Sequence, residues 1–329
     1  MLNKDAKLVD NLLDEQVIVQ KPTRDGFGEG SVLAGKENEN VVMLCADLTD
    51  STRAGMFKKE FSDRFVQIGI AEQNMMGVAV GMAMAGKVPF LSTYGVFCPG
   101  RNWDQIRVNA CYNNANVKFT GAHTGVSVGP DGATHQALED IAITRCIPNI
   151  TVIAPCDYHE TRKATLASAK INGPVYLRFA REATPVFTTN DTPFEIGKAL
   201  VLREGKDAVI IGCGSLLYKA LIVAEELAKE GLEIMVVNIA TIKPIDTETI
   251  IESAKKCGAV VSVEDHQVMG GLGSAVAEVL TKNYPVPQEF IGMQDTFGES
   301  GQPDELLEKY GMGKEAIKIA VKKVIGRKK

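Results

Sequence analysis

The 329-residue sequence predicts an α/β protein of two domains. Three observations carry that expectation. Short β-branched apolar runs alternate with helical stretches from one end of the chain to the other. The runs are apolar at successive positions rather than at alternate ones, as in parallel strands covered by helices on both faces. One aperiodic stretch with two prolines, 182–195, interrupts the rhythm and reads as an interdomain linker. The expected domains are 1–187, including an N-terminal extension, and a smaller 188–329.

In the first half, strands are expected at 41–45, 65–70, 88–94, 117–123, 151–155 and 174–180. Helices are expected near 72–86, 102–113, 137–145 and 157–170. Asp157 followed by Glu160 is a capping-box arrangement that starts the last of these. The second half repeats the pattern. Strands are expected at 207–212, 233–240, 259–265 and 290–293, and helices at 215–230, 246–256 and 271–282, with further helices to the end. The helix at 72–86 is apolar around its circumference and is expected to be buried on all sides. Gly77, Gly81 and Ala85 form a smooth ridge along it, suited to a subunit interface or to a central helix of one domain.

Composition excludes several classes of function. Apolar residues make up 45% and charged residues 23%, as in ordinary globular proteins. The net charge of −5 offers no electrostatic reason for binding nucleic acid. No apolar run reaches the roughly 18 residues of a membrane span, and the N-terminus lacks a secretory signal pattern. The seven cysteines include no C-x-x-C pair. That pattern points to free thiols in a reducing cytoplasm, with no disulfide frame and no zinc site.

Few residues stand out for chemistry. Glu72 is the strong acid of the apolar 72–86 segment, in its first turn. The helix dipole there favours the anion and burial favours the acid, a balance suited to proton transfer. A plain capping carboxylate is the alternative. The segment 120–136, TGAHTGVSVGPDGATHQ, is the densest polar, glycine-rich stretch and follows an apolar strand. Ligands in open α/β sheets bind at such strand ends. Asp131 and His135 are suited to hydrogen-bonding a polyhydroxylated substrate, and His123 lies in the same segment. An ordered surface loop is the alternative. Asp47, Ser51, Arg24 and Arg181 also lie near strand ends or loops. GCGS (212–215) and GGLGS (270–274) lack the full G-x-G-x-x-G spacing and read as tight turns.

Together these stretches resemble the transketolase family of thiamine diphosphate enzymes. The resemblance rests on ordered motifs: PTR, ADLTDS, GIAEQNMMG, STYGVF, AHTGVSVGPDGATHQ, LRFARE, ATIKPID and VEDHQVMGGLGSAVAEVL. It runs from about Arg24 onward. It implies a pyrimidine-binding domain with a parallel sheet between helices, followed by a smaller α/β transketolase C-terminal domain. It assigns Glu72 to N1′ of the cofactor's aminopyrimidine, and Tyr94 and Phe97 to stacking around that ring. Asp47 falls near the cofactor and the mouth of the substrate channel. Asp131 and His135 would bind the donor sugar's hydroxyls. Arg24, Ser51, His123 and Arg181 would grip its phosphate, with Arg178 a competitor of Arg181. Glu72, His135 and Asp131 are the expected catalytic residues.

The chain departs from the family pattern at Pro130 and Gln73, and CPGRNW replaces a third aromatic after Phe97. Deoxyxylulose-phosphate synthases would typically carry other residues at Leu91, Phe97 and Thr124. Beta subunits of 2-oxoacid dehydrogenases typically lack the Asp131 and His135 pairing. Both remain alternatives, as does a non-catalytic sugar-phosphate-binding paralogue.

The family binds the cofactor's diphosphate through a metal held by a G-D-G motif, and no G-D-G occurs in this sequence. The resemblance therefore implies one subunit of a split transketolase, with no metal site of its own. A separate N-terminal, diphosphate-binding subunit would hold Mg2+ or Ca2+, and this chain would bind the pyrimidine end of thiamine diphosphate. The assembly would be an α2β2 heterotetramer. It would move a two-carbon ketol unit from a ketose phosphate such as xylulose 5-phosphate to an aldose phosphate such as ribose 5-phosphate, in the pentose phosphate pathway.

Overall fold

The computed structural model describes residues 1–328. In chain order the first half holds β1 (Gln20–Pro22), α1 (Thr23–Glu37), β2 (Val41–Cys45), α2 (Ala54–Glu60), β3 (Phe65–Gln67), α3 (Glu72–Met84) and β4 (Val88–Ser92). Next come α4 (Trp103–Gln105), which runs on as a π-helix over Ile106–Tyr112, then β5 (Lys118–Ala122), α5 (Asp140–Arg145), β6 (Thr151–Ile153), α6 (Tyr158–Ser168), β7 (Val175–Phe179) and β8 (Ala183–Pro185). The second half holds β9 (Leu200–Arg203), β10 (Ala208–Gly212), α7 (Leu216–Lys229), β11 (Ile234–Asn238), β12 (Thr241–Lys243), α8 (Thr247–Cys257) and β13 (Val260–Gln267). It closes with α9 (Leu272–Asn283), β14 (Gln288–Met293), α10 (Pro303–Lys309) and α11 (Lys314–Ile325).

The first sheet has the order β12-β6-β7-β5-β4-β2-β3. Its pairs are parallel except at the β12 edge, which runs antiparallel to β6. The second sheet has the order β14-β13-β10-β11-β9, parallel except at the β9 edge. The central strands of both sheets are buried at every position, which is why their sequences do not alternate. In the first sheet β7, β5, β4 and β2 lie side by side. The loops after their carboxyl ends therefore open onto one rim of the sheet.

The structure corrects several expectations. Helices α1 and α2 are not among the expected helices; α1 carries four glycines, which weaken the local helical signal. Packing explains them. A Cβ at Gly26 would lie 2.3 Å from the Tyr158 carbonyl oxygen, and one at Gly30 would lie 2.7 Å from that of Arg162. The glycines let α1 lie against α6 closer than any side chain would permit. Arg24 thus sits in the first turn of a helix.

The N-terminal extension touches both halves of the chain: the Val9 amide donates to the Phe187 carbonyl at 3.1 Å. The Asn3 amide donates to the Leu202 carbonyl at 3.0 Å, and Leu12 is buried in the core of the second sheet. The stretch 182–195 is pinned as well. β8 pairs antiparallel with β1, and Asp157 accepts from the amides of Phe187 and Thr188 at 2.9 and 2.7 Å. β12 was not expected, since three residues of a second-half strand add to the first sheet.

Helix α3 is not buried all round in the single chain. Met75, Met76, Ala79 and Val80 fill the core, whereas Gly77, Gly81 and Ala85 are exposed. A Cβ at Gly77 or Gly81 would meet nothing within 4 Å. Ile70 is 73% and Met84 81% exposed on the same segment.

Candidate functional site

The loop after β4 carries Tyr94, Phe97 and Arg101, and the loop after β5 carries His123, Asp131 and His135. The Tyr94 ring stacks on His123 with centroids 3.9 Å apart and on Phe97 at 5.9 Å. His135 meets both aromatics edge-on, at 6.1 and 5.7 Å. Four side chains from two loops thus form one aromatic floor.

Glu72 opens α3 beside that floor. It is 1% exposed, and its Oε2 accepts from Arg101 Nη1 at 2.9 Å. The Arg101 guanidinium lies 4.4 Å over the Phe97 ring, tying the carboxylate to the aromatic cluster. Asn102, fully buried, donates to the Glu72 carbonyl at 3.3 Å and fixes the start of the helix. Glu72 Oε1 is buried and has no hydrogen-bond partner among the described residues. A buried, unsatisfied carboxylate oxygen is costly unless a ligand donor reaches it.

Cations surround the far side of His123. The Arg181 Nη1 is 3.2 Å from Asp131 Oδ1 and also donates to the Val128 carbonyl, while its Nε is 3.3 Å from Glu182. Arg24 Nη1 donates to the Ser51 carbonyl at 2.9 Å. Burial, and then the charges of Arg24 and Arg181, push the His123 imidazole down to about 3, so it is neutral at physiological pH. Burial and the nearby Arg53 push the Arg24 guanidinium below its usual range. His123 Nδ1 and Arg24 Nε are buried without hydrogen-bond partners among the described residues. His123 also holds φ +57°, a left-handed conformation uncommon for a side chain of this size. A neutral imidazole with an open nitrogen beside two guanidinium groups is a fitting receptor for a phosphate-bearing ligand.

Tyr94, Phe97, His123, His135, Asp131 and Arg181 are brought together, and Arg24 with Ser51 adjoins them. Glu72 joins through Arg101. Asp47 stands apart: it is exposed at the end of β2, and its amide donates to Gln67 Oε1 at 3.0 Å. Arg178 does not reach this rim. It is buried, with its Nε 2.8 Å from Asp140. Sequence reasoning missed Arg101, although its position four residues after Phe97 was a usable signal. It also missed Arg53, which pairs with Asp25 at 2.6 Å. Among the described residues, no group of three or more His, Cys, Asp or Glu side chains could hold a metal ion.

The transketolase pyrimidine-binding domain model matches residues 20–186, and the transketolase C-terminal domain model matches residues 197–317. A Methanocaldococcus jannaschii protein described as a transketolase C-terminal section is 47% identical over 302 residues, covering 91% of this chain and 95% of that protein. A Clostridium sp. protein described as a subunit of a 6-deoxy-6-sulfo-D-fructose transketolase is 39% identical over 305 residues, covering 93% of this chain and 95% of that one. A solved structure described as a split gene transketolase in an inactive beta4 tetramer superposes with a TM-score of 0.88 at 46% identity, covering 94% of this chain and 99% of that chain. With a pyrimidine-binding domain followed by a C-terminal domain, the chain belongs to the transketolase family.

Proposed function

We propose that this chain is the C-terminal subunit of a split transketolase, moving a two-carbon ketol unit from a ketose phosphate to an aldose phosphate. The observation that carries the reading is Glu72: a fully buried carboxylate at a helix start, with one oxygen held by Arg101 and the other unpartnered. Thiamine diphosphate, when bound, supplies a stabilised carbanion for carbon–carbon bond cleavage and formation. Glu72 Oε1 would accept from the aminopyrimidine ring nitrogen, and Tyr94 and Phe97 would hold the ring. Arg101 keeps the carboxylate oriented. His135 and Asp131 orient the hydroxyls of the donor sugar. Arg24, Ser51, His123 and Arg181 bind its phosphate, and Asp47 lines the approach.

A separate N-terminal subunit would hold the diphosphate through Mg2+ or Ca2+. The lack of G-D-G in this sequence and the likeness to a C-terminal section support that division. The exposed apolar face of α3, with Gly77, Gly81, Met84 and Ala85, supports packing against a second copy of this chain in an α2β2 assembly. The free cysteines fit a cytoplasmic enzyme, and the proposed substrates would place it in the pentose phosphate pathway. No helix among the described residues is long and apolar enough to cross a membrane.

The test is a donor screen. The chain is mixed with a diphosphate-binding partner, thiamine diphosphate and Mg2+. Transfer from xylulose 5-phosphate to ribose 5-phosphate supports the reading. Transfer from pyruvate alone points to a synthase-like or dehydrogenase-like subunit and contradicts it.

A further inference from the structure

The geometry points to Asp265, on β13 of the second domain, as a positioning residue that holds the substrate loop of the first. Its kinetic consequence rests on the proposed reaction, whereas its contacts stand independently of that reaction. Asp265 is 6% exposed. Its Oδ1 accepts from the Val126 amide at 2.8 Å, and its Oδ2 accepts from the Ser127 amide at 3.3 Å and the Ser127 hydroxyl at 2.6 Å. Those residues lie between His123 and Asp131, the two ends of the site segment. Gly125 holds φ +84°, and a Cβ there would stand 2.0 Å from Asp265 Oδ2. The backbone closes around the carboxylate in a way that only glycine allows.

The neighbours of Asp265 reinforce the same junction. Arg178 Nη2 donates to the Asp265 carbonyl at 2.7 Å and to Ala137 at 3.4 Å, while its Nε is fixed by Asp140. The Gln267 amide donates to the Leu138 carbonyl at 2.8 Å. Both ends of the loop are therefore stitched to one strand of the second domain. The Asp265 carboxylate bonds to Val126 and Ser127 rather than to His123, Asp131 or His135, so it acts through the loop. Its substitution should loosen substrate geometry and leave the cofactor pocket around Glu72 as it is.

Asp265→Ala and Asp265→Asn test this, each as the chain alone by hydrogen exchange and in complex with the partner by steady-state kinetics. In Asp265→Ala the amides of 126 and 127 should exchange about tenfold faster or more, and the donor KM should rise about tenfold. The kcat should stay within about threefold and exchange at α3 should not change. Asp265→Asn should recover part of both losses, since its carbonyl still accepts one bond. Unchanged loop exchange overturns the proposal. So does a parallel fall of kcat, cofactor affinity and thermal midpoint in both variants. Loop exchange that responds as expected, with no two-carbon transfer by the unsubstituted complex, sustains the positioning role and overturns the proposed reaction.

Discussion

Arg181 Nη1 lies 3.2 Å from Asp131 Oδ1, so the guanidinium expected on the sugar phosphate is bonded to the carboxylate expected on the sugar hydroxyls. Both side chains are close to 30% exposed, at 29% and 28%. A partly solvated pair of this kind adds about 0–1 kcal/mol to stability. In the proposed reaction its value would lie in alignment, each group holding the other on the rim.

Arg181→Gln should therefore leave the thermal midpoint within a few degrees and raise the KM of a phosphorylated donor by about 10-fold or more. An unphosphorylated donor should be affected far less. Parallel steady-state assays with the two donors give the answer. Equal losses with both would remove Arg181 from the phosphate site.

Acid should destabilise the fold through buried histidines. His123 is held at about 3 by burial first and then by the two arginines, and His266 at about 4 chiefly by burial. In the unfolded chain both protonate near 6.5. Their stabilisation is complete above pH 6.5 and is lost as pH falls through that value toward 4 and 3, where only the unfolded chain takes up the proton. Thermal melts from pH 7 to pH 4 should show a falling midpoint. His123→Gln should remove about one proton from the uptake that drives the fall.

The glycines of α1 and α3 should respond in opposite ways. Gly26→Ala forces a methyl against the Tyr158 carbonyl and should cost about 1–3 kcal/mol. Gly77→Ala meets open space and should stabilise the isolated chain by about 0.5–1 kcal/mol. Gly81→Leu should keep the isolated chain folded and weaken association with a second copy. Chemical denaturation and sedimentation measure these effects separately.

Much of this arrangement is legible from sequence. The apolar runs expected as strands at 41–45 and 207–212 are strands at 41–45 and 208–212, and Asp157 caps α6 through the Glu160 amide as its spacing indicates. Glu160 departs from the local rule. Its carboxylate accepts from the Cys156 amide and from Asn238 of the second sheet, at 2.7 Å each. The unread features share a cause, which is long-range packing. Helix α1 hides behind glycines that serve a neighbour absent from its own sequence. β12 is three residues long and pairs with a strand nearly 90 positions earlier. The anchoring of Val126 by Asp265 spans 139 positions, and nothing local marks it. Motif order brought the site residues onto one page, whereas geometry separates Arg181, which faces Asp131, from Arg178, which is bound to Asp140.

In the proposed function Glu72 serves a catalytic centre completed by another subunit. The most direct measurement titrates the diphosphate-binding partner into a fixed amount of this chain, with thiamine diphosphate and Mg2+ present, and follows two-carbon transfer. No activity is expected from either chain alone, and saturation is expected at one partner per chain. A loss of at least about 100-fold is expected in Glu72→Gln at unchanged stoichiometry. Full activity from the Glu72→Gln complex would contradict that role of Glu72.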